Sequence, residues 1–261
     1  MKSILIKYQN CAIMFVCTSF IMMNEGCNAP KINNTELQHN KPKYSLNTIT
    51  DPNETFAIDA YDPWEKYNRT MYKYNAVFDR KVFLPAVSAY HTITTQPMRD
   101  GIHNAFSNLG ELSTLINAVI QGNLKSSWIT TQRIAINSTI GVLGLFDAAT
   151  EDYKLIKQNH DFGQTLAHYG AKPGPYMILP LLGPSTLRDT IGIVGDYVII
   201  LAIDPIGLYD QEFIVRYSVE MLNTIAIRDN IDVKYYQSQS PFEYDMVRFL
   251  YLKARNYQIP Q

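Results

Sequence analysis

None of the 261 residues beyond Cys27 is a cysteine, so positions 28–261 hold neither a disulfide framework nor a cysteine metal site. No stretch of about 18 apolar residues is present, which leaves no ordinary transmembrane helix. Basic and acidic residues nearly balance, 23 against 24, with no block of lysine or arginine. That distribution offers nothing for a phosphate backbone to hold, and nucleic-acid binding is excluded from the reading. Catalytic signatures are missing as well: there is no Gly-x-Ser-x-Gly elbow, no His-Glu-x-x-His, no Walker loop and no Gly-x-Gly-x-x-Gly. Asp161-Phe162-Gly163 matches a kinase tripeptide without the phosphate loop or catalytic lysine that would give it meaning. The five histidines place no pair on one helical face, so neither a metal nor a cofactor is expected, and the chain reads as a non-enzyme.

What is present is apolar and aromatic: 46% hydrophobic residues, with 18 tyrosines and 11 phenylalanines, enough for a folded core. Lys2 and Lys7 precede an uncharged run from Cys11 to Met23, then Asn24-Glu25-Gly26-Cys27. This is the layout of a signal peptide over 1–26. Cleavage before Cys27 would leave that cysteine first in the mature chain, the position at which bacterial lipoproteins are acylated. Gly26 suits such a site, whereas Asn24 and Glu25 depart from the usual apolar and small residues. Residues 27–60 are rich in Asn, Thr, Lys and Pro and read as a tether.

From 61 to 257 the dominant signal is helical spacing, followed by a short tail over 258–261. Tyr67, Met71, Tyr74 and Phe78 make one apolar stripe over 64–80, beside a stripe of Asn68, Tyr72, Asn75 and Asp79. Further helices are expected over 111–121, over 128–140 with Ser126 or Ser127 as N-cap, over 185–203 with Ser185 as N-cap, and over 211–228 and 242–256. The helix ending at Ile203 is apolar nearly all round in its second half, although Asp189 and Asp196 lie within it. Eight of the thirteen glycines fall between Gly141 and Gly195, and four prolines lie between Pro173 and Pro184. That segment is predicted to be extended or hairpin-like, carrying Tyr176, Met177, Ile178, Leu179, Leu181 and Leu182. Its apolar residues either meet a partner or lipid, or fold back on the core.

The order of motifs is itself informative. Asp62-Pro63-Trp64-Glu65, Asn68-Arg69, Tyr74-Asn75 and Asp79 come first, then Phe106-Ser107-Asn108-Leu109 with Glu111. Arg133, Asn137 and Gly144-Leu145-Phe146-Asp147 follow, then Asp161-Phe162-Gly163-Gln164, Gly174-Pro175-Tyr176 and Gly183-Pro184-Ser185-Thr186 with Arg188-Asp189. This succession, from Asp62 to about Asn256, resembles the MlaA/VacJ family of outer-membrane lipoproteins. The resemblance implies an all-α, ring-shaped protein, lipid-anchored at Cys27 and embedded in the outer membrane from the periplasmic side. It implies phospholipid transport: lipids misplaced in the outer leaflet descend an amphipathic channel to a periplasmic carrier, often beside a porin. Tyr176, Met177 and Asp196 are assigned to the channel. Asn68, Arg69, Asn137, Asp147, Asp161, Gly163, Arg188 and Asp189 are assigned to a structural polar network. Two other readings are a porin-bound scaffold that moves nothing and a membrane-bound phospholipase, the latter opposed by the missing catalytic motifs.

Overall fold

The computed structural model describes residues 61–259, so the signal peptide, Cys27 and the tether lie outside the described residues. Helix α1 (Glu65–Phe78) runs through a π turn (Asp79–Phe83) into α2 (Leu84–Ile93). Helices α3 (Gln96–Ile120), α4 (Leu124–Thr139), the single turn α5 (Ala148–Glu151) and α6 (Phe162–His168) follow. Strands β1 (Tyr176–Leu179) and β2 (Gly183–Thr186) interrupt the helices. Helices α7 (Leu187–Ile203), α8 (Phe213–Asp229) and α9 (Glu243–Gln258) complete the chain. The fold is therefore mostly helical rather than all-α. The prolines and glycines that exclude helix between 173 and 184 leave a true antiparallel hairpin, Tyr176 opposite Thr186 and Leu179 opposite Gly183.

Several boundaries differ from the sequence reading for local reasons. The α3 helix starts 15 residues earlier than the expected 111, because Pro97 sits in its first turn and Gly101 and Gly110 are carried inside it. Helix α4 is capped by Asn123, whose side chain accepts from the Ser126 N–H at 3.0 Å, and not by Ser126 or Ser127. Thr186, not Ser185, caps α7 through the Asp189 N–H. The Ser185 hydroxyl instead meets Thr190 at 3.0 Å.

A larger difference concerns which helix faces turn inward. On α1 the polar stripe is the buried one: Asn68 is 0% exposed while Tyr67 is 41% exposed. On α4 the inward face is Ser127, Thr130, Arg133 and Asn137, and Trp128 and Ile140 point outward. Among the described residues the buried set holds 23 polar or charged residues against ten hydrophobic ones, of which Ile178 is the only large aliphatic. An exposed apolar side chain is ordinary, but a polar interior is informative. Its compact apolar part is a tyrosine cluster, where Tyr72 meets Tyr235, Tyr236 and Tyr244 edge-on at 5.0–5.9 Å and Tyr176 and Ile178 pack beside them.

Helices α6 and α7 touch through their backbones. A Cβ added to Gly192 would lie 2.5 Å from the Gly163 nitrogen and 2.7 Å from its Cα. The contact leaves no side chain to yield, so Gly192→Ala is expected to destabilise the purified protein by about 1–3 kcal/mol, read as a lowered thermal midpoint. An unchanged midpoint would show that the two helices separate without cost.

Candidate functional site

Two asparagines of α1, two helical turns apart, hold the outer edge of the hairpin. Asn68 donates to the Tyr176 carbonyl at 3.1 Å and accepts from the Ile178 N–H at 2.7 Å. Asn75 donates to the Leu179 carbonyl at 2.9 Å and accepts from the Leu181 N–H at 2.8 Å. A side-chain amide offers one donor and one acceptor, the same pair a neighbouring strand would present. Helix α1 thus substitutes for a third strand and fixes the hairpin, including the left-handed Leu181 at its tip (φ 65°).

Three charged clusters tie α3 to α4, α6 and α7 to α9, and α1 to α9. Arg133 of α4, 1% exposed, is held by Glu111 of α3 at 2.7 and 2.9 Å, by Asp147 at 3.2 Å and by the Leu155 carbonyl at 2.5 Å. Asn137 joins it, donating to Asp147 at 3.0 Å and accepting from the Ala149 N–H at 2.9 Å. In the second cluster Arg255 of α9 bridges Asp161 at 2.6 Å and Asp189 at 2.8 Å, while Arg188 and Tyr251 also donate to Asp189 at 3.0 Å. Gly163 lies against this cluster because a Cβ there would fall 2.8 Å from both Arg255 and Asp189. In the third, Arg69 and Arg248 meet Asp245 at 2.9 and 3.3 Å and flank the Tyr244 ring, and Arg248 reaches Asp62 at 3.3 Å.

Burial alone would raise the Asp189 carboxyl, but Arg255, with Thr186 and Arg188, outweighs it and holds the group at about 2. Asp161 is lowered in the same way by Arg255 and the Gln164 N–H, and Asp147 by Thr150, Asn137 and Arg133. Asp196 moves the opposite way: burial raises it despite its bonds to Ser113, the Phe162 N–H and Asn117.

All eight residues assigned to a polar network therefore sit in or against these clusters and the hairpin clamp. The three assigned to a channel have different surroundings. Tyr176 is only 2% exposed and packs into the tyrosine cluster, because alternation along β1 turns it inward with Ile178. It lines no open wall. Met177 faces the other side, half-buried at a cleft with Trp64, Tyr67 and Thr70. Asp196 is half-buried and ties three helices, accepting from Ser113 and Asn117 of α3 at 2.7 Å and from the Phe162 N–H of α6 at 3.2 Å.

Residues 60–258, the whole of this architecture, match the family model described as MlaA lipoprotein. The chain belongs to the MlaA lipoprotein family. It is 36% identical over 158 residues to an uncharacterised protein of Rickettsia prowazekii, a stretch that is 60% of this chain and 61% of that protein. The intermembrane phospholipid transport system lipoprotein MlaA of Shigella flexneri is 32% identical over 201 residues, 75% of this chain and 77% of its own length. That of Escherichia coli is 36% identical over 138 residues, 52% and 55%. A solved structure reported as the structural basis for maintenance of bacterial outer membrane lipid asymmetry superposes with a TM-score of 0.64 at 32% identity, covering 76% of this chain and 99% of that one.

Within this MlaA-family fold the sequence reading missed Arg255, Tyr251, Asp245 and Arg248, all on α9, which reach the distant Asp161, Asp189, Arg69 and Asp62. A carboxylate excess upstream, at Asp161 and Asp189, was the available signal that a distant cation was required. Glu111→Leu should cost about 3–5 kcal/mol, because it leaves the buried Arg133 underpaired, and adding Arg133→Met should recover most of that. Chemical denaturation in detergent compares the two. Acid tests the second cluster. With the Asp189 carboxyl at about 2 in the fold and near 3.9 when unfolded, its contribution of about 2 kcal/mol is complete above about pH 5 and lost progressively as pH falls through 2. The thermal midpoint should fall across that window, and a flat profile would contradict it.

Proposed function

We propose that the protein is an outer-membrane lipoprotein that moves phospholipids between membranes and so maintains outer-membrane lipid asymmetry. The observation that carries this is the inverted distribution of polarity: charged clusters inside, apolar side chains outside. Val194 and Val198 on α7, Ile214 on α8, and Leu143 and Phe146 in the loop before α5 are all exposed. In water that surface would be an aggregation hazard; among acyl chains it is the matching solvent. No described helix is long and apolar enough to cross a membrane, in keeping with a molecule that sits in one leaflet. Buried polar groups then hold the helices together, as the hydrophobic effect cannot when the surroundings are as apolar as the side chains.

In this reading the ring is anchored through an acylated Cys27 and embedded in the outer membrane from the periplasmic side. The path for lipid needs a polar lane and an apolar one, and no bond is made or broken along it. Met177 beside the Trp64 and Tyr67 rings, and the half-buried Asp196, are its channel residues; Tyr176 supports the hairpin from behind. An outer-membrane porin and a soluble periplasmic lipid carrier are the protein partners.

The test is outer-leaflet phospholipid in cells lacking the gene, re-supplied with wild type or with Cys27→Ala. Accumulation on loss, cured by wild type and poorly by Cys27→Ala, is the expected result. Cure by both assigns membrane retention to the helical domain alone, and no accumulation on loss overturns the transport reading.

A further inference from the structure

Beneath the hairpin tip lies a cleft of about 560 Å³, within the ~300–1,000 Å³ usual for small-molecule sites. None of Tyr176, Met177 or Asp196 lines it. Its walls are α1, the π turn, the tip of the hairpin, the end of α8 at Arg228, the segment 231–238 and one face of α9. Two unusual pieces of backbone converge on it. The π turn places Asp79 and Phe83 at one side, and such turns concentrate at functional sites. The left-handed Leu181, held by Asn75, delivers Leu181 and Leu182 to the other.

The lining is amphipathic in a specific way. Phe83, Leu181, Leu182, Met246 and Leu250 supply continuous apolar surface, and Leu182 is 58% exposed with nothing in the fold covering it. The charged groups are almost all spoken for. Arg228 is paired bidentately with Asp79 at 2.5 and 2.9 Å and also donates to the Ile231 carbonyl at 2.6 Å. Glu243 is buried, accepting from the Tyr72 hydroxyl at 2.8 Å, the Tyr236 N–H, and the Ser238 N–H and hydroxyl. Lys234 at the rim is exposed, and its ammonium meets no carboxylate among the described residues. One uncompensated cation at the mouth of an apolar cleft is complementary to a phosphodiester with acyl chains attached.

We infer that this cleft binds a phospholipid, an acyl chain lying over Leu181, Leu182, Phe83 and Leu250 and the phosphate meeting Lys234. The inference rests on the transport reading and adds to it a second lipid site, separate from the residues assigned to the channel.

The experiment uses the purified full-length lipoprotein in detergent with phosphatidylethanolamine carrying a diazirine in one acyl chain, irradiated and mapped by mass spectrometry. Adducts are expected on the peptides spanning 78–83, 181–184 and 246–250. Leu181→Glu combined with Leu182→Glu, at a solvent-facing tip, should lower them about tenfold, and Lys234→Glu about threefold. Adducts confined to other surfaces, or unchanged in the double variant at an unchanged thermal midpoint, overturn the inference. If the double variant fails to fold, the wild-type adduct map alone decides. Cells separate this from the parent reading. If loss of the gene causes outer-leaflet accumulation that wild type cures, while the adduct map leaves the cleft unlabelled, only this inference falls. If loss causes no accumulation, the transport reading falls, while the adduct map still decides whether the cleft binds lipid.

Discussion

The guanidinium of Arg133, sealed between Glu111 and Asp147, is the interaction on which the central helices depend. A charge removed from water in this way is costly, and the cost is offset only where every donor finds an acceptor. Arg133 joins α3, α4, the α5 turn and the Leu155 carbonyl in one place. None of the large aliphatic side chains that those elements carry is fully buried, so the sealed interior between them is this polar cluster. The same economy recurs at Arg255, which draws α6, α7 and α9 together through Asp161 and Asp189.

This arrangement explains why a chain with a substantial apolar fraction has so small an apolar core. The tyrosine cluster around Tyr72, Tyr176 and Tyr244 is compact, and it serves the hairpin more than the bundle. Tyrosine fits there because each ring offers an edge to its neighbour while the hydroxyl can reach a polar group, as Tyr72 reaches Glu243 and Tyr251 reaches Asp189. The hairpin, clamped by Asn68 and Asn75, is then a rigid platform. Its inner side belongs to the core and its tip to the cleft, so a lipid meeting Leu181 and Leu182 meets a preformed surface. Rigidity of that kind lowers the ordering cost of binding.

The absence of catalytic chemistry is consistent with the same economy. The lowered carboxylates Asp147, Asp161 and Asp189 each tie an arginine to a helix N-terminus, and burial accounts for the raised Asp196. The electrostatics of this molecule are spent on holding an inverted fold together.

Periodicity in the sequence located most helices to within a few residues. The ordered motifs from Asp62 to Arg188-Asp189 identified the family, because turn glycines, capping aspartates and paired charges must recur in fixed order to close these clusters. The Gly/Pro content of 173–184 was enough to exclude helix and leave an extended or hairpin-like segment; the strand register was not legible. Periodicity also marked two stripes on α1, but not which would be buried: the apolar stripe was the natural choice for water, and Asn68 and Asn75 turned inward because their amides complete a strand edge 108 and 104 residues away. The burial of Tyr176, the partners of Arg255 and the cleft under Leu182 were likewise decided only by tertiary structure. Each depends on groups distant in sequence, and spacing along a chain carries no information about which distant groups will meet.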